Sequence, residues 1–410
     1  MNLASITISI LIFIAGLNVP VISEYIIILA SIGLLFRWLC DTRAIDRAFS
    51  TRFATLSFFA LSYYAFTYIH GYSGLNEGIR KVLVILGSYA LGYIVKSRNT
   101  PSWPLFYCVP LFCMAGGLIC FSFLSVHSLL TSADIIQIIE RTAPSFWDGS
   151  EINAPGLGAN ASLGMCLLPI IFFGKDDDCK GLFYSLSAII ISLMFAAGIY
   201  INVALQNRTP FLATAASLFF ATIAYLHRHK TNPSLAIRKV ALICLLAGIG
   251  VYFLAASTDF AQYNILTRFT EEGLQTERYE AWKTMLASLH HSLLGGKVVK
   301  FEISYVHNLW LDVIWYTGIV PFIFLVAFHL NHAICFKNII TSQAPMLAII
   351  MIVGLGTSFF FNFMQEPTMS ASVPYFAASC FFLGLVLRIS QGIEAPDTFL
   401  DITPGRKEES

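Results

Sequence analysis

Charge is what this sequence is shortest of. Asp, Glu, Lys and Arg make up 12% of its 410 residues, roughly half the share of an ordinary soluble domain. A soluble chain of this length needs charged surface for two or three domains, so that class is excluded. The net charge of +1 offers no electrostatic footprint for a nucleic acid or another polyanion. The nine cysteines contain no CxxC pair, the usual mark of a zinc site. Cys40, Cys179 and Cys335 read as cytoplasmic-loop residues and the other six as residues of apolar runs, so no disulfide framework is expected. No low-complexity linker and no internal repeat divides the chain. The first apolar run lacks a basic leader segment and is followed at once by a second, so it reads as a spanning helix and not a cleaved signal.

What fills the sequence is apolar: 57% of the residues are hydrophobic, in long runs separated by short polar breaks. Inside a bilayer only helices and closed barrels satisfy the backbone. Runs such as 25–39 and 240–255 lack the in/out alternation of a barrel strand, which leaves helices. The expected fold is therefore an all-α membrane protein of about twelve transmembrane helices. The expected spans are roughly 3–19, 22–39, 53–70, 81–95, 104–125, 156–173, 182–200, 209–226, 240–256, 308–330, 345–363 and 372–389. They form one membrane domain over 1–392, with a disordered cytoplasmic tail over 393–410.

With the N-terminus inside, sixteen of the 25 Lys and Arg residues fall on the cytoplasmic side, most densely in 40–52 and 227–239. Both termini are then cytoplasmic, as in a multi-pass bacterial inner-membrane protein. Two segments too long for simple turns, 125–156 and 257–306, lie on the periplasmic side. The first holds an amphipathic stretch at 133–141 and the second a charged helical stretch from Glu277 to His291. Long loops with structure of their own commonly carry function.

Four groups of residues on that side have chemistry to offer. Arg208, in Gln206-Asn207-Arg208-Thr209-Pro210, opens a helix at the membrane boundary. It suits an anion-binding group and equally an arginine that snorkels to lipid phosphate. Arg278 and Glu280 with Lys283 fit a solvated helix face, but Trp282 and Met285 give that helix an apolar side, which lays it on the membrane domain. His307 and Asn308 stand at the mouth of the tenth span, where exposed amides favour anions and a histidine suits proton transfer near neutral pH. Asn308 and Asp312, four apart, share a face, so Asp312 is held by Asn308 or by a neighbouring helix. His307 and Asp312, five apart, do not face each other. Gly318 and Pro321 let this helix bend or approach a neighbour. Glu366, before the last span, reads first as a structural ion-pair partner near two arginines.

The order of these motifs resembles the O-antigen ligase/polymerase superfamily of bacterial membrane glycosyltransferases. The resemblance is carried by Arg208 to Ala213 opening a helix, then Arg-x-x-x-Trp at Arg278 and Trp282, then the Leu293-Leu294-Gly295-Gly296 turn, then His307, Asn308, Leu311 and Gly318. It covers the second half of the chain, and Ser292 and Pro321 stand where relatives often carry Pro and Gly. It implies transfer of a glycan from an undecaprenyl-diphosphate carrier at the periplasmic face. A ligase passes the glycan to lipid A-core; a polymerase passes it to a second lipid-linked glycan. In that frame Arg208 and Arg278 bind the diphosphate and His307 is the catalytic base, with Asn308, Glu366 and Asp312 in support. Transfer is by direct inversion. No DxD-like carboxylate pair occurs in the outer loops, so neither a metal nor another cofactor is expected. A secondary transporter would need mid-helix carboxylates and a central cytoplasmic linker. A flippase would need a cationic cavity inside the bundle, whereas these arginines collect at its rim.

Overall fold

The computed structural model describes residues 3–40, 46–95, 103–132, 142–174, 181–228, 238, 277–301, 303 and 305–394. The expected span 240–256, the stretch 133–141 and the tail beyond 394 lie outside the described residues.

Among the described residues the fold is all-α apart from one short hairpin. The first helices are α1 (Leu3–Gly16), α2 (Ile22–Cys40), α3 (Arg47–Ile69), α4 (Leu75–Ile94) and α5 (Trp103–Ser132). A two-stranded ribbon follows, β1 (Thr142–Pro144) antiparallel to β2 (Glu151–Asn153). Then come α6 (Ala154–Met165), α7 (Pro169–Phe173), α8 (Leu182–Ala204) and α9 (Thr209–Arg228). The C-terminal part holds α10 (Glu277–Ala287), α11 (Leu309–Thr317), α12 (Ile319–Thr341), α13 (Met346–Gln365), the single turn α14 (Thr368–Ala371) and α15 (Val373–Glu394). β-Branched runs such as Ile189–Ile191 in α8 are helical because every backbone group must bond within its own segment where lipid replaces water.

Among the described residues, seven helices are long and apolar enough to cross a membrane: α5, α6 with α7, α8, α9, α12, α13 and α15. The chain is a multi-pass membrane protein, and the described residues account for these seven of the about twelve spans expected from the apolar runs. The helices α3 and α4 have the length, but Arg47 and Arg52 sit at the start of one and Glu77, Arg80 and Lys81 at the start of the other.

Small residues let the helices approach. A methyl group on Gly92 of α4 would overlap the Phe381 carbonyl of α15, and one on Gly384 would overlap the Tyr89 carbonyl. Such contacts bind membrane helices through close packing where lipid offers no hydrophobic drive. The helix α13 is enclosed along nearly its whole length. Its direction is fixed by polar contacts: Ser162 Oγ meets Ser358 Oγ at 2.6 Å, and Asn362 Nδ2 donates to Ser162 Oγ at 2.8 Å. On α9, Ser217 Oγ donates to the Cys166 carbonyl (2.7 Å), while Asn207, just ahead of that helix, donates to the Ala154 carbonyl (2.8 Å). Gly354 of α13 lies against the Cys166 carbonyl, one turn past Ser162, so α6 runs antiparallel to α13, and the Ser217 and Asn207 contacts make it parallel to α9. The start of α6, the start of α9 and the end of α13 therefore share one end of the bundle.

Other connections reach the same end. Trp147 Nε1, in the hairpin, donates to the Leu17 carbonyl between α1 and α2 (2.7 Å). His70, after α3, bonds the Leu294 carbonyl (3.2 Å).

Two expectations need correction. The single helix expected over 308–330 is two helices, because Gly318 adopts φ 89 and ψ −170 and ends α11. Pro321 follows in the first turn of α12, where its missing N–H costs nothing. That second helix runs on to Thr341, so Cys335 is a buried helical residue and not a loop residue.

Candidate functional site

The helix α10 explains the Arg-x-x-x-Trp spacing. Residues four apart share a helix face, and this face grips two different segments. Trp282 Nε1 donates to the carbonyl of Val306, the residue before His307 (2.7 Å). One turn earlier, Arg278 Nη1 donates to the Gln365 carbonyl (3.0 Å) and to Glu366 Oε1 (3.2 Å). Met285 and Ala281 are buried on the side toward α11, where Met285 packs with Val306, Ile314 and Trp315. Without that apolar contact an isolated 11-residue helix would be marginal.

Glu366 is the hub. Its carboxylate meets Arg278 through one oxygen and His307 Nδ1 through the other, at 3.4 Å, and its side chain is only 8% exposed. The sequence suggested a carboxylate near two arginines; the contacts found for Glu366 are one arginine and the histidine. Arg208 sits at the same end of the bundle, ahead of α9, and its carbonyl accepts from the Phe211 and Leu212 amides. The half-buried Arg208 therefore opens that helix.

Asn308 occupies the N-cap of α11. Its Oδ1 accepts from the amides of Trp310 (3.0 Å) and Leu311 (3.2 Å), which is why asparagine suits this position. Its Nδ2 donates to the Met364 carbonyl (3.1 Å), tying the helix start to the end of α13. Asp312 is held by a neighbouring element and not by the Asn308 side chain: Ser370 Oγ donates to its Oδ2 at 2.6 Å. Burial pushes the Asp312 carboxyl up to about 7, against the lowering effects of Ser370, the Val306 amide and Lys297.

The Leu-Leu-Gly-Gly turn docks on the break after α11. Gly295 and Gly296 have φ of 75 and 83, and Lys297 has φ of 51. The Gly296 and Lys297 amides donate to the Tyr316 and Trp315 carbonyls, and the Ile319 amide donates to the Leu293 carbonyl. A methyl on Gly295 would stand 2.6 Å from the Tyr316 carbonyl oxygen, and one on Gly318 would overlap the Leu293 carbonyl. The two glycine motifs are thus halves of one joint. Lys297 closes it, its Nζ lying 3.9 Å from the Tyr316 ring centre, 4.7 Å from Tyr72 and 5.3 Å from Trp315. Burial lowers the Lys297 ammonium below its ordinary range.

Left-handed backbone outside glycine is uncommon and concentrates at functional segments. Among the described residues five non-glycine residues have it, and three, Gln206, Lys297 and His307, fall within or beside the motifs. The structure therefore brings Arg278, His307, Asn308 and Glu366 into one bonded cluster, joins Asp312 to it through Ser370, and sets Arg208 at the same end. Sequence reasoning missed Ser370 and Lys297: a lone serine in a loop and a lone lysine after two glycines carry no periodic or motif signal.

No protein-family model and no curated protein sequence matches the chain. The resemblance of its motifs to the ligase/polymerase superfamily rests on the motifs themselves. The chain is similar to one in a solved structure described as "Structural coordination of polymerization and crosslinking by a peptidoglycan synthase complex". The two are 16% identical, and the match covers 82% of this chain and 97% of that one at a TM-score of 0.42.

Proposed function

We propose that this protein transfers a glycan from an undecaprenyl-diphosphate carrier to an acceptor hydroxyl on the periplasmic side of a bacterial inner membrane. The observation that carries the reading is the Arg278–Glu366–His307 cluster, in which one buried carboxylate fixes both a phosphate-binding type of side chain and a proton-accepting one. The carboxylate at Nδ1 favours the tautomer with the proton on that nitrogen, leaving Nε2 as the acceptor. Nε2 takes the proton of the acceptor hydroxyl as its oxygen attacks the anomeric carbon. The bond from that carbon to the diphosphate breaks, and the electron pair leaves with the carrier. Because attack is direct, the anomeric configuration inverts.

Arginine suits the leaving group because its planar fork matches phosphate oxygens and stays charged at a partly buried site. Arg278 uses Nη1 on Gln365 and Glu366, and a guanidinium has further N–H donors for phosphate. Arg208 supplies the second guanidinium from the start of α9. Preorganised positive charge of this kind stabilises the charge that develops in the transition state.

Ligase and polymerase differ only in the acceptor. The test offers purified full-length protein a lipid-linked glycan together with either lipid A-core or a second lipid-linked glycan. Product with lipid A-core identifies a ligase, and elongated lipid-linked glycan identifies a polymerase. Absence of both products, with donor and acceptors shown to be competent, overturns the reading.

A further inference from the structure

Asp312 is fully buried and takes no part in the transfer chemistry set out above. A buried carboxyl is costly unless something requires it, and what holds this one is the Ser370 hydroxyl together with the Val306 amide. Such a group calls for an explanation, and the geometry around the Ser370 contact supplies one. Asn308 and Asp312 lie one helical turn apart on α11 and face the same stretch of chain. Asn308 holds that stretch at the Met364 carbonyl and Asp312 holds it at the Ser370 hydroxyl. Between those two points stands Glu366. The connection from Glu366 to Ser370 is short and internally bonded: the Thr368 amide donates to the Glu366 carbonyl and the Ser370 amide to the Pro367 carbonyl. Movement at Ser370 is therefore passed to Glu366 and not absorbed on the way.

We propose that Asp312 is a positioning residue, which with Asn308 fastens the 364–370 segment to α11 and so sets where the Glu366 carboxylate stands relative to His307. His307 immediately precedes Asn308, in a left-handed conformation with φ of 53. Both members of the His307–Glu366 pair are thus referenced to the same helical turn. Release of the Ser370 anchor leaves the segment held only from the Met364–Glu366 side, by Asn308 and Arg278, and the Glu366 carboxylate loses its fixed distance to the histidine. The catalytic consequence rests on the transfer reading; the fastening itself does not.

Two measurements on the full-length protein in detergent separate the two. Amide hydrogen exchange over 364–372 reads the fastening, and steady-state transfer reads its consequence. Asp312→Ala and Ser370→Ala are each expected to speed exchange in that segment about tenfold or more and to lower kcat about tenfold, with KM for the donor within about threefold. Asp312→Asn keeps an oxygen acceptor for Ser370 and is expected to hold both readouts within about threefold of the parent. A combined Asp312→Ala/Ser370→Ala protein is expected to be no worse than Asp312→Ala alone, because the Ser370 hydroxyl acts on Glu366 through its bond to Asp312. Unchanged exchange in the two alanine variants overturns the fastening, as does an Asn variant as impaired as Ala. Faster exchange with an unchanged kcat overturns the link to Glu366. Should Asp312→Ala fail to fold, Ser370→Ala, which removes only a half-buried hydroxyl, decides the matter. A parent protein that transfers no glycan overturns the transfer reading, and the exchange data still judge Asp312.

Discussion

His307 and Glu366 are 59 residues apart in the chain, and their side chains meet at 3.4 Å. The contact joins the start of α11 to the loop after α13, and it is reinforced on the carboxylate side by Arg278 at 3.2 Å. A histidine oriented by a carboxylate is a proton acceptor with a chosen nitrogen. His307→Ala is expected to lower kcat for glycan transfer by roughly a hundredfold to ten-thousandfold, the range for loss of a positioned base. Glu366→Gln keeps the shape and loses the charge, so its loss is expected to be smaller and to fall mainly on kcat. Steady-state transfer with a fluorescent lipid-linked glycan measures both, and full activity in the His307 variant removes it as the base.

The two arginines are expected to respond differently to lysine. Arg278 already bonds Gln365 and Glu366 through one nitrogen, so Arg278→Lys breaks the fork that holds this loop. On the proposed transfer reading, in which the same guanidinium also meets the diphosphate, this is expected to impair kcat and donor binding together, by about tenfold or more each. Arg208→Lys retains a point charge at the start of α9 and is expected chiefly to raise KM for the donor, by a few-fold. Equal and small effects at both positions would argue against a diphosphate held between them.

Much of the candidate site is legible in the sequence. The order Arg208, Arg278, His307, Asn308 carries local signals: helix-opening positions, an i, i+4 pair and an asparagine cap. The cation bias of the loops predicts one side for the whole set, and the chain direction of α6, α9 and α13 gathers Arg208 and the Glu366 loop at one end of the bundle. What local pattern could not give were contacts between remote segments. The Glu366–His307 pair depends on how α13 ends against α11, and the Ser370–Asp312 bond depends on a single turn of helix after Pro367. At Gly318 the sequence predicts only a bend, since an apolar run continues across it. Only its docking against Leu293 shows why the chain needs positive φ there.

That joint gives a stability prediction. Gly318→Ala forces a side chain into φ 89, ψ −170, a region open almost only to glycine, and into the Leu293 carbonyl. The expected loss is roughly 1–3 kcal/mol from backbone strain, with more from the displaced turn. Gly392→Ala, at a helical position in α15 with open space around it, is expected to be neutral or stabilising by up to about 1 kcal/mol. Thermal unfolding in detergent compares the pair. A Gly318 variant as stable as the parent would mean that the turn and the helix break do not depend on each other.

The buried Asp312 predicts a pH dependence with a definite sign. Its carboxyl is raised from 3.8 to about 7, first by burial. The groups around it are Ser370, the Val306 amide and Lys297, with the hydroxyls of Tyr63, Tyr316 and Tyr305 further out. Between 3.8 and about 7 the folded protein holds a proton that the unfolded chain has released. Stability from this group is therefore full below that window, falls as pH rises through it and levels off above it. The whole effect is bounded at about 4 kcal/mol. Asp312→Asn removes the ionisation and keeps the acceptor, so its thermal midpoint is expected to stay flat from about pH 5 to pH 8 while that of the parent declines. The same decline in both proteins would assign the pH dependence to another group. A parent midpoint that stays flat across this range would mean that Asp312 is already charged in the folded state, held there by Lys297 and the Val306 amide against the cost of burial.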